Sequence, residues 1–147
     1  MKKCGQPNCF NPDNCIYPLC NPGDKVSFDF DATLSEPFVQ DYAKMIIERG
    51  VEVWIVTARH PDDHMDNIYG KNRDLFNVAK KLGIREERIV FTELKPKYIF
   101  FKTNDDFTWH LDDKAEELTA INVHTKVKGV WVLDKRTWMG TCERLLN

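Results

Sequence analysis

The chain has 147 residues, 42% of them hydrophobic and 30% charged, with a net charge of -2. That length holds about one domain with a real core, and the composition is that of an ordinary globular protein. Near-neutrality gives no broad footprint for nucleic acid, leaving only a local basic patch open. No apolar run is long enough to cross a bilayer.

Four of the five cysteines fall in the first twenty residues, Cys4, Cys9, Cys15 and Cys20, spaced C-x4-C-x5-C-x4-C. Residues 1–24 also hold four Pro and four Asn and little to build a core. The chain therefore divides into a Cys-rich segment, 1–24, and a main domain, 25–147. Thiolates favour tetrahedral Zn²⁺, and zinc folds segments too small to fold alone, so the four cysteines read as a structural zinc site. Disulfides and an iron–sulfur cluster are the alternatives. The start, Met1 to Pro7, has no apolar segment behind its positive charges and does not read as a secretory signal. A reducing cytoplasmic setting is expected, which disfavours disulfides, and the usual cluster spacing is absent. The segment precedes the first strand at the end opposite its acids, so a clip beneath the sheet is expected. Cys142 stands apart and reads as a buried thiol.

From residue 26 onward, strand and helix patterns alternate. Val26 to Phe30 reads as an apolar strand. Pro37 to Arg49 reads as a helix with Phe38, Tyr42, Met45 and Ile46 on one face, Ser35 as its cap and Gly50 as its stop. Val51 to Thr57 is β-branched and apolar enough to be a buried strand. Residues 58–71 read as a polar loop containing His60 and His64, both expected in solvent. Asn72 to Leu82 reads as a helix stopped by Gly83, with Leu75, Val78, Ala79 and Leu82 on one side. Arg88 to Phe91 is a short strand, and Pro96 to Lys102 a short helix with Pro96 in its first turn. Phe107 to Asp112, Lys114 to Asn122 and Val127 to Leu133 read as strand, helix and strand. A short helix carrying Leu145 and Leu146 closes the chain.

Strands alternating with helices imply a parallel sheet covered on both faces, with its site at the carboxyl ends of the strands. The polar residues fall there. Asp29 and Asp31 follow the first strand, and the two-residue period of a strand lets them face one way. Thr57 ends the second strand, and Asp112 and Asp113 end the fourth. Two carboxylates held together at a strand end repel, which points to a cation, to chemistry, or to both. His110 alternates with Asp112 and is placed to orient it, whereas His124 reads as surface. Structural readings stand beside these: acids after a strand are often only solvated, and Thr57 or Asp112-Asp113 could cap helices. The Trp and Phe residues read as core rather than as a stacking platform.

In Asp29-Phe-Asp31-Ala-Thr33, Thr57 at a strand end, a Lys at the start of a helix and the Asp112-Asp113 pair, the sequence resembles the haloacid-dehalogenase-like phosphohydrolases over about residues 25–134. The resemblance implies a Rossmann-like three-layer sandwich whose five-stranded parallel sheet runs 5-4-1-2-3. It also implies a Mg²⁺-dependent phosphomonoester hydrolase. Asp29 would be the nucleophile that becomes an aspartyl-phosphate, and Asp31 the group that protonates the leaving oxygen and then deprotonates water. Asp29, Asp31, Asp112 and Asp113 would hold Mg²⁺. Thr57 would donate to the phosphoryl group, and Thr33, Ala58 and Arg59 would contact substrate. The lysine is Lys97 or Lys95. Lys95 precedes Pro96, while Lys97 stands three and four residues before Phe100 and Phe101, a spacing that anchors it to the core and is similar to the phosphatase domains of phage polynucleotide kinases.

Many members of that family insert a cap domain after the first motif or between the second and third. Here only Ser35 and Glu36 separate Leu34 from the Pro37 helix, and the stretch from Thr57 to Lys97 has room for one loop, one helix and one strand. A site without a lid suits a phosphate on a nucleotide, a nucleic-acid end or a protein. The expected partner is thus a phosphorylated substrate, with no membrane, and the oligomeric state is left open. The alternatives are a non-catalytic zinc-containing interaction module on the same scaffold, or a phosphotransferase or phosphonatase using the same nucleophile.

Overall fold

A computed structural model describes residues 23–62 and 72–147. Cys4, Cys9, Cys15 and Cys20, and with them the expected zinc site, lie outside the described residues, as does His64. The secondary structure alternates as the sequence pattern requires: β1 (Lys25–Phe28), α1 (Pro37–Glu48), β2 (Glu52–Thr57), α2 (Arg73–Leu82), β3 (Ile89–Phe91), α3 (Lys97–Thr103), β4 (Trp109–Asp112), α4 (Ala115–His124), β5 (Lys128–Trp131) and α5 (Trp138–Leu145). All strand pairs are parallel, in the order β3-β2-β1-β4-β5. This is the expected five-stranded order read from its other edge.

Alternation along the strands sorts side chains between two faces. Val26 and Phe28 of β1, Val53 and Ile55 of β2, and Trp109 and Leu111 of β4 enter one core, which α1, α2 and α5 cover with Tyr42, Ile46, Leu75 and Trp138. Val56 of β2 enters a second core with Phe101 of α3 and Ile121 of α4. A large apolar side chain taken fully out of water contributes roughly 1.5–3 kcal/mol, and Phe28 and Trp109 meet edge-to-face at 5.3 Å in the middle of the first core. The Trp109 indole N–H donates to the Cys142 carbonyl at 3.1 Å. Cys142 is the buried thiol expected of it, and burial pushes that thiol above its ordinary range. An Arg49–Glu143 fork at 2.6 and 3.0 Å fastens α5 to the end of α1. Asp24, assigned by sequence to the N-terminal segment, is buried and accepts the Asn147 backbone N–H at 2.9 Å, so it is built into this domain.

Three local expectations are corrected. Ser35 does not cap α1; Glu36 occupies that position without a side-chain bond, and the Ser35 hydroxyl accepts instead from the Ala32 N–H at 3.1 Å. The buried face of α1 is Val39, Gln40, Tyr42, Ala43 and Ile46, while Phe38 and Met45 are exposed, although the Phe38 ring still lies 6.2 Å from Trp138 of α5. Trp131 is not core: it sits on the edge strand, 44% exposed, with its N–H on the Asp113 carbonyl at 3.0 Å. The other element boundaries differ from expectation by no more than a few residues at strand ends.

The order of the strands decides where a site can form. The chain runs outward through β1, β2 and β3, then returns across β1 to β4. The helix after β1 therefore lies on one face and the helix after β4 on the other, opening a crevice beyond the carboxyl ends of these two neighbours. No helix among the described residues is long and apolar enough to cross a membrane.

Candidate active site

Asp29 leaves β1 on the same face as Ser27, beneath α3 and α4, because it has the same parity along the strand. Its backbone N–H continues the sheet by donating to the Leu111 carbonyl at 2.8 Å. The chain then closes a single π-type turn, Phe30–Leu34, in which Ala32 takes a left-handed φ of 57°. Asp29 and Asp31 thus share the crevice, as expected, but a turn brings Asp31 there rather than strand alternation. Asp29 is buried, whereas the Asp31 side chain is 60% exposed.

β4 lies beside β1, so Asp112 ends its strand next to Asp29. Two buried carboxylates this close require a positive charge between them. Lys97 supplies it: its ammonium, 2% exposed, donates to Asp29 Oδ1 at 2.7 Å and to Asp112 Oδ2 at 2.6 Å. Of the two lysines considered, it is Lys97 that joins the acids; Lys95 is exposed on the wall of the cleft. The first turn of α3 is fixed over the site by Glu117 of α4, which accepts the Lys97 backbone N–H at 3.1 Å. Asp112 Oδ2 also meets His110 Nε2 at 2.8 Å, and His110 Nδ1 meets the Ser27 hydroxyl at 2.8 Å. His110 therefore orients Asp112, as its spacing suggested. Ser27 and Glu117 carry no signal in a motif scan, although the parity of Ser27 with Asp29 places it in this row.

Asp29 is raised to about 8: burial lifts it most, Lys97 pulls it down and Asp112 pushes it up. Burial acts against Asp112 too, but the hydrogen bond from His110 and the charge of Lys97 prevail and hold it well below the usual carboxylate range. Burial pulls Lys97 down, yet the two carboxylates outweigh it and lift it above its ordinary value. His110, wholly buried, is lowered by desolvation and stays neutral. Asp113 is half-buried and raised, chiefly by desolvation. Burial thus disfavours the charged form of Asp29, and a cation placed here would stabilise that form as Lys97 does.

One carboxylate oxygen each from Asp29, Asp112 and Asp113 lie within 4.8 Å of one another. Hard oxygens grouped this way suit Mg²⁺, which keeps several waters and needs few protein ligands. Asp29 and Asp113, but not the fully buried Asp112, line a cleft of about 480 Å³ that Lys97, Asp31, Ala58, Leu94, Lys95, Lys114 and Glu116 also line.

The remaining expected site residues fall around this cluster. Thr33 is fully buried, and its hydroxyl donates to Asp29 Oδ2 at 3.4 Å, so it positions Asp29. Thr57 is also fully buried and accepts the Arg59 N–H at 3.3 Å, while Ala58 beside it reaches the cleft wall. Arg59 forks onto Asp31 at 2.7 and 3.0 Å and onto Asp74 at 2.8 and 3.0 Å, with its guanidinium 4.9 Å over the Phe30 ring. The hydrogen bonds from Arg59 lower Asp74. To meet a phosphate, Arg59 must exchange one of these acids for it. His60 is not fully solvated as expected: its Nδ1 lies 3.5 Å from a Glu93 carboxylate oxygen. No protein-family model and no curated protein matches the chain.

The Lys97 bridge makes a direct prediction. Lys97→Met leaves two buried carboxylates facing each other without a cation, and the protein should lose about 3–5 kcal/mol in a urea titration with chelator present. Asp29→Asn added to that variant should recover a large part of the loss. No loss from Lys97→Met, or no recovery in the double variant, would contradict the bridge.

Proposed function

We propose that the chain is a Mg²⁺-dependent phosphomonoester hydrolase that works through a phosphorylated Asp29. One observation carries this reading: a buried carboxylate at the end of β1, tied by Lys97 to Asp112, faces an open cleft beside Asp113. The resemblance of the Asp29, Thr57, Lys97 and Asp112-Asp113 set to haloacid-dehalogenase-like phosphohydrolases supports it.

Asp29, Asp112 and Asp113 would hold the cation, with Asp31 near it through the turn that follows β1. When bound, Mg²⁺ shields the negative charge that a phosphate monoester and a carboxylate would otherwise set against each other. The Asp29 carboxylate attacks phosphorus and the ester P–O bond breaks. Asp31, which takes up a proton from solvent when it parts from Arg59, gives that proton to the leaving oxygen as the bond opens. For this, Asp31 must exchange Arg59 for the substrate, and Arg59, freed on that side, turns toward the phosphate. The charge on Lys97 stabilises the oxygens of the transferring group. Water then attacks the same phosphorus, Asp31 takes its proton, and the bond from Asp29 to phosphorus breaks. Inorganic phosphate leaves and both acids return to their first states. Nine residues, 63–71, lie outside the described part of the stretch between Thr57 and Lys97, too few for a domain of their own. A cleft left open by the described residues favours a phosphate on a nucleotide or at a nucleic-acid end.

Phosphate release should depend on Mg²⁺ and stop with chelator. Asp29→Asn should reduce it at least about a thousandfold, and Asp31→Asn by about 10²–10⁴. A wild type that releases no phosphate from nucleotides, sugar phosphates or end-phosphorylated oligonucleotides, or an Asp29→Asn variant equal to it, would overturn the reading and leave a non-catalytic role.

The reading extends to Cys4, Cys9, Cys15 and Cys20 as a structural zinc clip ahead of β1, supported by four thiols in a segment with little else to fold it. Metal analysis of purified protein should give about one zinc per chain. Zinc near zero, with the thiols recovered oxidised in pairs, would contradict it.

A further inference from the structure

The turn between β3 and α3 is built against the usual rules of residue choice. Glu93 and Leu94 both take left-handed φ values, 55° and 68°. Such turns are ordinarily made with Gly or Asn, because a larger side chain costs about 1–2 kcal/mol at each position. The backbone need is plain: the Glu93 and Leu94 N–H groups donate to the Arg59 and Ala58 carbonyls at 3.3 and 2.8 Å, and the Lys95 N–H closes the turn on the Thr92 carbonyl at 3.0 Å. These bonds fix the turn but do not explain its residues. The Glu93 carboxylate has His60 beside it. Leu94 has no such reason, for it is 76% exposed on the wall of the cleft that holds Asp29. Packing among the described residues does not account for an apolar side chain that is both strained and exposed. Lys95 follows it on the same wall, also exposed, with an ammonium that has no acidic partner among the described residues. The turn therefore presents, on the wall of the cleft that Asp29 also lines, one apolar side chain and one positive charge without an acidic partner among the described residues.

We infer that the Leu94–Lys95 turn is the leaving-group recognition element of this cleft. Leu94 packs on an apolar face of the leaving group, and Lys95 binds a second phosphate that the leaving group carries. The substrate class is then a phosphomonoester whose leaving group carries an apolar face and a further phosphate, a chemistry shared by nucleoside bisphosphates and by phosphorylated nucleic-acid ends. This inference rests on the phosphohydrolase reading and narrows it.

The test compares kcat/KM for a nucleoside bisphosphate, a nucleoside monophosphate, a sugar bisphosphate and a short alkyl phosphate. The variants are Leu94→Asn, which tolerates the left-handed backbone, Lys95→Gln and Lys114→Gln from the opposite wall. Leu94→Asn should lower the ratio of either nucleotide to alkyl phosphate about tenfold. Lys95→Gln should lower the ratio of either bisphosphate to alkyl phosphate about tenfold and leave the ratio for the monophosphate within about twofold. A phosphorylated dinucleotide turned over faster than the nucleoside bisphosphate assigns a strand end, and the reverse order assigns a free bisphosphate. Ratios unchanged in both variants, or the second-phosphate effect appearing in Lys114→Gln instead, would overturn the inference. If wild type hydrolyses none of the compounds, the phosphohydrolase reading fails, and equilibrium binding of the same compounds to Asp29→Asn protein with Mg²⁺ decides the inference separately. A tenfold loss of binding preference on adding Leu94→Asn or Lys95→Gln supports it, and no binding or no loss overturns it.

Discussion

The structure turns on one ammonium. Parallel pairing of β1 with β4 sets Asp29 beside Asp112 at the end of the sheet, and both are buried. Like charges in such a place cost several kcal/mol unless a cation stands between them. Lys97 meets both within 2.7 Å. For that to happen α3 must start directly above the sheet edge. Glu117 receives its first N–H, and the left-handed turn at Glu93 and Leu94 brings the chain in from β3. The strain in that turn, the depth of Lys97 and the positions of two acids are parts of one arrangement.

The same arrangement separates acids that look alike in the sequence. Asp112 is fully engaged: Oδ2 meets Lys97 and His110, and Oδ1 accepts the Lys114 N–H at 3.1 Å. It is held ionised and is the fixed point of the cluster. Asp29 is raised by its burial, so its charged form leans on Lys97 and would be stabilised further by a cation. Asp31 belongs to the outer network with Arg59 and Asp74, in reach of solvent and of α2. Neighbouring carboxylates with different surroundings can take different roles at one pH.

Much of this was legible in the chain. Strand and helix periods marked all ten elements, and the clustering of Asp29, Thr57 and Asp112-Asp113 at strand ends marked the edge of the sheet that carries the cleft. The spacing of Lys97 before Phe101 pointed to the lysine that reaches inward, and the alternation of His110 with Asp112 pointed to its partner. What stayed hidden depended on tertiary placement. Nothing local shows that Ser35 accepts from the Ala32 N–H instead of capping α1, or that Phe38 and Met45 stay largely exposed. The expected order already put β5 at the sheet edge, but the exposure of Trp131 beside buried Val130 depends on which face of that strand is left uncovered. The double role of Arg59 needs the fold of the Phe30–Leu34 turn and the start of α2 together. Leu94 has no signal at all in a sequence, since an isolated Leu after a Glu reads as nothing until its backbone angle and exposure are known.

The claim that Asp29 is a nucleophile, and more than a ligand, is tested most directly by trapping the covalent state. Protein mixed with a phosphomonoester and Mg²⁺ is quenched in acid within milliseconds, digested, and mapped by mass spectrometry. The account predicts a phosphoryl group on the peptide that contains Asp29, absent when chelator replaces Mg²⁺ and absent from Asp29→Asn protein. Turnover with no phosphorylated peptide at any time point, or with the phosphoryl group on another residue, would contradict it.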